Sequence, residues 1–261
     1  MNVLDMFSLK GKVALTTGGA GLYGRQIVEA LAEAGAKTFT AARNRDALEK
    51  VAAAHRDRGF DVTALQYDQG DEASVLALRD QILEQAGAID ILVNNSVARP
   101  MRNGYQSDAS TFAQSMAVNA TGLFVITRAF GDVMAENGRG SIINVGSIQG
   151  LIAPDPTIYR GTTMSGWAPD YFFHKSGMVN FTRFIGSYYG LKNVRCNCIA
   201  PGGYQTPDHP EAFVRQYSDK TFLGRLAGDT DLKGIIVFLA SDASAYITGT
   251  TIPVDAGYTA K

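Results

Sequence analysis

The chain has 261 residues, of which 46% are hydrophobic, enough for one large core, so a single α/β domain over 1–261 is the default. Its 24 basic and 25 acidic residues nearly cancel and form no Lys/Arg stripe, which excludes the electrostatic footprint of a nucleic-acid binder or an anionic-membrane binder and favours a small polar ligand. The longest apolar run, GIIVFLA at 234–240, is too short for a membrane span, and the opening MNVLDMFSLKGK has an early acid and no signal-like apolar core, so the expected setting is cytoplasmic.

Along the chain, short β-branched runs alternate with helical patterns. VALTT (13–17) predicts the first strand, followed by a helix over about 22–34, strand KTFTA (37–41), a helix over 44–58, strand VTALQY (62–67), a helix over 72–86 and strand IDILVN (89–94). A long helix over about 108–137, strand SIINVGS (141–147), a helix from near 169, strand VRCNCIA (194–200), a helix over 229–240 and strand TTIPVD (250–255) complete the order. That rhythm predicts βαβ units, hence a doubly wound parallel sheet of about seven strands with helices on both faces. Ligands of such sheets bind beyond the carboxyl ends of the strands. Two stretches, 148–168 and 202–224, break the rhythm; each follows a strand and so lies on the ligand edge, where long loops carry function. Cys196 and Cys198 sit two apart on one strand and read as reduced core thiols, and the scattered His55, His174 and His209 form no ligand motif; no metal is called for.

The first strand runs directly into TTGGAGLYGRQIVEAL (16–31). Gly19, Gly21 and Gly24 match G-x-G-x-x-G, in which glycines let the backbone approach a pyrophosphate whose charge meets a helix amino terminus. A plain structural turn is the alternative for that motif alone.

Taken together, Thr17-Gly18 with Gly24, Asn94-Asn95, Asn119, Ser147, Tyr171 with Lys175, and Pro201-Gly202 with Thr206 resemble the short-chain dehydrogenase/reductase family over essentially the whole chain, in a gluconate 5-dehydrogenase-like or 3-oxoacyl reductase-like branch. The resemblance implies a Rossmann fold and NAD(P)-dependent interconversion of a secondary alcohol and a ketone. It implies that Tyr171 exchanges the proton, Ser147 steadies the substrate oxygen, Lys175 lowers the tyrosine pKa and anchors the nicotinamide ribose, and Asn119 holds a water near the lysine through its backbone. By the same resemblance the cofactor is held by Thr17, Gly18, Gly21, Leu22, Tyr23, Gly24, Arg43, Asp68, Asn95, Tyr171, Lys175, Pro201, Gly202, Tyr204 and Thr206, with Asp68 at the adenine and Thr206 at the carboxamide. The chain departs from the family pattern at several places. Leu22 stands where T-G-x-x-x-G-x-G has its middle glycine, N-N-A-G reads Asn94-Asn95-Ser96-Val97, Gly146 replaces a frequent serine, and V-D-G-G reads Val254-Asp255-Ala256-Gly257.

YRGTTMSGWAPDYFFHKSG (159–177) offers two tyrosines. Tyr171 and Lys175 lie one helical turn apart on one face, whereas Tyr159 is followed four residues later by Thr163; Pro169 suits a first helical turn, so Tyr171 is the chemical tyrosine. A neighbouring ammonium should pull its phenol below the usual value of about 10. Ser147 and Tyr171 are 24 positions apart, well beyond the family's usual separation. The extra residues, with Tyr159, Arg160, Thr162, Thr163, Met164 and Trp167, are expected to overhang the substrate, a surface or subunit-contact loop being the alternative.

Ala41-Ala42-Arg43-Asn44 ends the second strand without an acid to bond ribose hydroxyls and with an arginine that can pair with a 2′-phosphate, so NADP is favoured, with NAD as the alternative. Arg160, Thr162, Thr163, Trp167, Tyr204, Gln205, Asp208 and His209 mix hydrogen-bonding groups with aromatic faces, which suits a sugar, sugar acid or polyol. A 3-oxoacyl thioester reductase is one alternative, and a non-catalytic dinucleotide-binding sensor or structural subunit another. Aromatic surface from Phe124, Phe130, Phe172, Phe173 and Phe181 predicts a homotetramer or homodimer.

Overall fold

A computed structural model describes residues 2–260. At its centre β1 (Val13–Thr17), buried along its whole length, pairs in parallel with β2 (Lys37–Ala42) on one side and β4 (Ile91–Asn94) on the other. With β3 (Val62–Gln66), β5 (Gly140–Val145), β6 (Val194–Pro201) and β7 (Thr251–Val254) they form one seven-stranded sheet, ordered β3-β2-β1-β4-β5-β6-β7 and parallel throughout. Both faces are covered, so its central strands are buried on both sides, polar residues such as Thr38, Thr40 and Asn144 included. The predicted doubly wound Rossmann sheet is therefore the one found.

Helices α1 (Leu22–Glu33) and α2 (Arg45–Arg56) cover one face around Ile27, Leu31, Val28 and Leu48. On the other face, α3 (Glu72–Ala86) contributes Val75, Leu78 and Ile82 to the main core. Asn44 caps α2 by accepting from the Ala47 N–H at 3.0 Å, and Asp71 caps α3 through Ala73, the local reason each helix starts where it does. Cys196 and Cys198 are free and buried within β6. No helix among the described residues is long and apolar enough to cross a membrane.

The predicted helix over 108–137 is two helices. Between α4 (Ala109–Met116) and α5 (Gly122–Glu136) the residues Ala117–Thr121 form a π-turn. The chain after β3 packs into this point: the Gln69 amide donates to the Val118 carbonyl at 2.9 Å, and a Cβ on Gly122 would fall 2.2 Å from the Gln69 carbonyl oxygen. A long-range contact of this kind competes with the regular i to i−4 ladder. α6 (Pro169–Tyr189) begins as predicted, with proline in its first turn. The stretch 202–224 is not loop throughout, since it holds α7 (Glu211–Ser218). The last helix, α8 (Lys233–Ala240), starts later than 229 because Asp231 is drawn into bonds with Arg225 and the Gly228 N–H.

Candidate active site

A cleft of about 700 Å³ runs along the carboxyl edge of β1, β2, β4, β5 and β6, where the strand order reverses around β1. One half is built of backbone. Gly18 adopts φ +69°, and a Cβ on Gly24 would lie 2.1 Å from the Gly18 carbonyl oxygen, so only glycine serves at either position. Gly21 caps α1 without a side-chain bond, which leaves Gly21, Leu22, Tyr23 and Gly24 lining the cleft at a helix amino terminus. Such an end attracts a diphosphate through unpaired N–H groups and the helix dipole. Leu22 is the first helical residue and 55% exposed; it has no positive φ, so the turn closes without the family's middle glycine.

Thr17 is buried and does not line the cleft. Its hydroxyl accepts from the N–H groups of Asn95 at 2.9 Å and Ser96 at 3.0 Å, while the Asn95 amide returns bonds to the Thr17 and Gly18 carbonyls. The expected cofactor contact of Thr17 is thus corrected to a clasp that ties β1 to the segment after β4, because its hydroxyl is spent on that segment. Across the cleft the Tyr23 hydroxyl donates to the Gly202 carbonyl at 2.8 Å, and the Gly203 N–H donates to the Tyr217 hydroxyl at 2.5 Å. Two phenols therefore fix the Pro201-Gly202-Gly203 turn from opposite sides. Arg43 and Asp68 line the adenosine end, where Arg43 is exposed and forms no ion pair among the described residues.

Ser147, Tyr171 and Lys175 meet at the other end of this wall. Ser147 is buried, and its hydroxyl accepts from the Gln149 N–H at 3.1 Å, which holds the side chain at the end of β5. The neighbouring Gly146 is required here, since a Cβ would approach the Cys198 sulfur to 2.8 Å; a buried thiol explains the loss of the family's serine. Lys175 is buried and donates to the Val145 carbonyl at 2.5 Å, with its ammonium 5.7 Å from the centre of the Tyr171 ring. Burial raises the Tyr171 phenol, yet Lys175, then Arg99, and hydrogen bonding from Ser147 outweigh it and hold the phenol below its ordinary value of 10.0. Burial also depresses Lys175 itself.

Asn119 lies in the π-turn behind the site. Its side chain is fully engaged: it accepts from the Ala98 N–H and donates to the Ala98 carbonyl, both at 2.8 Å, and to Ser115 at 2.9 Å, which in turn bonds Asp170 at 2.5 Å. Any action toward Lys175 is left to its backbone.

A family model described as enoyl-(acyl carrier protein) reductase matches residues 21–259. Galactitol 2-dehydrogenase (L-tagatose-forming) of Cereibacter sphaeroides is 31% identical over 99% of this chain and 99% of its own length. D-threitol dehydrogenase of Mycolicibacterium smegmatis is 32% identical over 98% and 95%. The chain belongs to the short-chain dehydrogenase/reductase family. The crystal structure of a gluconate 5-dehydrogenase from Burkholderia cenocepacia J2315, in complex with NADP and tartrate, superposes with a TM-score of 0.88 at 30% identity over the full length of both chains. This short-chain dehydrogenase/reductase is an NAD(P)-dependent oxidoreductase of CH–OH groups.

Its substrate half differs from the sequence expectation. Ile148, Gln149, Ile152, Ala153, Pro154, Asp155, Ile158 and Tyr159 line the cleft, whereas Arg160, Thr162, Thr163, Met164 and Trp167 do not. After Tyr159 the insertion leaves the cleft and passes behind it: Met164 packs against the Ile158 and Phe213 cluster, Trp167 is 52% exposed, and its carbonyl packs against Gly104. From the second loop Tyr204 and His209 reach the cleft, but Thr206, Gln205 and Asp208 do not. A turn in which the Thr206 N–H donates to His209 Nδ1 at 3.3 Å brings the imidazole inward in place of the threonine. The reading from sequence also missed Arg99, which lines the cleft with its guanidinium carbon 4.4 Å from the centre of the Tyr171 ring. Its only sequence signal was its place four residues beyond Asn95.

Proposed function

We propose that this enzyme interconverts a secondary hydroxyl of a sugar, sugar acid or polyol and the corresponding ketone, with NADP preferred over NAD. The observation that carries the reading is the convergence of Ser147, Lys175 and Arg99 on one phenol, Tyr171. The glycine turn, the amino terminus of α1 and Lys175 fit a dinucleotide, and Arg43, with no acid beside it at the end of β2, fits a 2′-phosphate. When bound, the nicotinamide supplies or accepts the hydride. Tyr171 gives its proton to the developing alkoxide in reduction and takes it in oxidation; Ser147 steadies the oxygen, and Lys175 holds the phenol in reach of its ionised form. Because the phenol lies below 10.0, alcohol oxidation should rise with pH through a midpoint below that value, and ketone reduction should fall over the same interval.

Names of relatives that act on galactitol, threitol and gluconate support the polyhydroxylated class. So do the cleft groups Gln149, Tyr159 and His209, set among apolar faces of Ile158 and Phe213. The test is turnover with NADP and NAD over a panel of polyols, sugar acids and acetoacetyl thioesters; best turnover on the thioesters overturns the reading. Self-association into a homotetramer or homodimer is part of it. Phe124 on α5 and Phe173, Phe184 and Tyr188 on α6 are all exposed, the last two stacked at 5.9 Å, whereas Phe130 belongs to the core. Light scattering that found a monomer would remove this part.

A further inference from the structure

We propose that Arg99, with Tyr159 beside it, forms a carboxylate-binding subsite next to Tyr171, which makes a sugar acid the preferred substrate over a neutral sugar or polyol. The proposal rests on the alcohol–ketone reading of the cleft.

The first ground is an exposed cation that lines the cleft without a carboxylate partner. Arg99 forms no ion pair among the described residues. The acids that line the cleft are engaged elsewhere: Asp155 pairs with Lys220 at 3.0 Å and binds Thr157 through both its N–H and its hydroxyl, and Asp68 accepts from the Gly70 N–H at 2.9 Å. A ligand that fills the cleft strips water from the guanidinium, and this is costly unless the ligand brings an anion. The Tyr171 ring, its centre 4.4 Å from the guanidinium carbon, fixes where the fork stands, and a planar fork of N–H donors matches a carboxylate in two bonds at once.

The second ground is the path of the insertion. Tyr159 stacks on Phe213 at 5.7 Å with the planes 19° apart, and a Cβ on Gly166 behind it would come within 2.8 Å of its hydroxyl oxygen. Stacked on Phe213 and backed by Gly166, the phenol is held in place on the wall of the cleft that Gln149 and Arg99 also line. Burial raises its pKa above the ordinary value, so it remains a donor at neutral pH, as a carboxylate partner must. The insertion therefore fixes one phenol on the wall of the cleft that Arg99 also lines.

The third ground is position. Because Arg99 lies over the ring of the proton-exchanging residue, a carboxylate bound there sits only a few bonds from the oxygen held by Tyr171 and Ser147. A hydroxy or keto acid meets that spacing. A 3-oxoacyl thioester carries a neutral group at the same place and leaves the guanidinium unpaired.

The experiment compares matched pairs that differ only in carboxylate against hydroxymethyl: gluconate with glucitol, and galactonate with galactitol. The wild-type enzyme should favour the acids in kcat/KM. Arg99→Met should lower the acid-to-polyol ratio at least about thirtyfold, chiefly through KM of the acid, since one partner of a charge pair is lost. Any loss that acts through Tyr171 is common to both members and cancels in the ratio. Arg99→Lys should recover part of the ratio, and Tyr159→Phe should lower it by about threefold to tenfold, the size of one hydrogen bond. Equal losses for acid and polyol, or a wild-type preference for the polyols, overturns the subsite while leaving the alcohol–ketone reading intact. If neither member of either pair is turned over, the polyhydroxylated reading fails, and thermal melting with NADP present decides the subsite. A gluconate-dependent rise in Tm that is absent in Arg99→Met sustains it, and no rise in the wild type overturns it.

Discussion

The two halves of the cleft are made of different materials. Around Gly18 and Gly24 the wall is main chain, a left-handed glycine and a carbonyl 2.1 Å from where a Cβ would stand, tied from behind by the Thr17 hydroxyl, which gathers two N–H groups. Around Ile148, Ile158, Phe213, Tyr217 and Tyr258 the walls are side chains from three separate stretches of chain, packed with Leu226 into a small core of their own. A wall of backbone has one shape and can grip the part of a ligand that never changes. A wall of side chains can be recut one residue at a time, so specificity resides there.

The largest expected effect lies where the halves meet. Tyr171→Phe should lower turnover by about 10²–10⁴ and spare cofactor affinity, while Tyr159→Phe keeps the proton step; steady-state rates with cofactor titration by fluorescence check both. A dead Tyr159 variant beside an active Tyr171 variant would put the chemistry in the wrong half. Next, Gly24→Ala tests the backbone wall. Its Cβ meets main chain, which cannot yield as a side chain can, so overpacking of about 1–3 kcal/mol should weaken cofactor binding by roughly tenfold or more. An unchanged Kd would show the turn to be softer than its geometry implies.

Arg43→Asp probes the open end of the same half. A carboxylate at that place repels a 2′-phosphate, so the NADP-to-NAD ratio of kcat/KM should fall by about tenfold or more. A wild-type enzyme that already prefers NAD contradicts the premise. The smallest effect concerns stability. Burial first, then Lys175 and Arg99, lower His174 from 6.5 to about 3, and both ring nitrogens lack a hydrogen-bond partner among the described residues. Its folded pKa lies below its unfolded one, so its contribution is complete above pH 6.5 and is lost as pH falls toward 3. His174→Leu should flatten that acid slope by at most about 1.4 kcal/mol per pH unit, read from denaturant midpoints across the interval; parallel slopes for the two proteins would show that His174 does not titrate with folding.

What the sequence determined by itself was whatever depends on neighbours along the chain. Strand and helix order follows from local periodicity, the glycine turn from one short motif, and the pairing of Tyr171 with Lys175 from one turn of helix. The family resemblance added the placing of Ser147 and Asn119. The tertiary structure decided the rest, because it turns on which distant atoms compete for one space. The Thr17 hydroxyl is claimed by the segment after β4, Gln69 pries a π-turn into the long helix, and the Cys198 sulfur excludes a side chain at 146. Arg99 reaches Tyr171 from another strand end, and the insertion gives the cleft Tyr159 while carrying Arg160 and Trp167 away from it. No spacing along the chain encodes these outcomes; they are settled by packing, in which each buried volume and each hydrogen-bonding atom can be used only once.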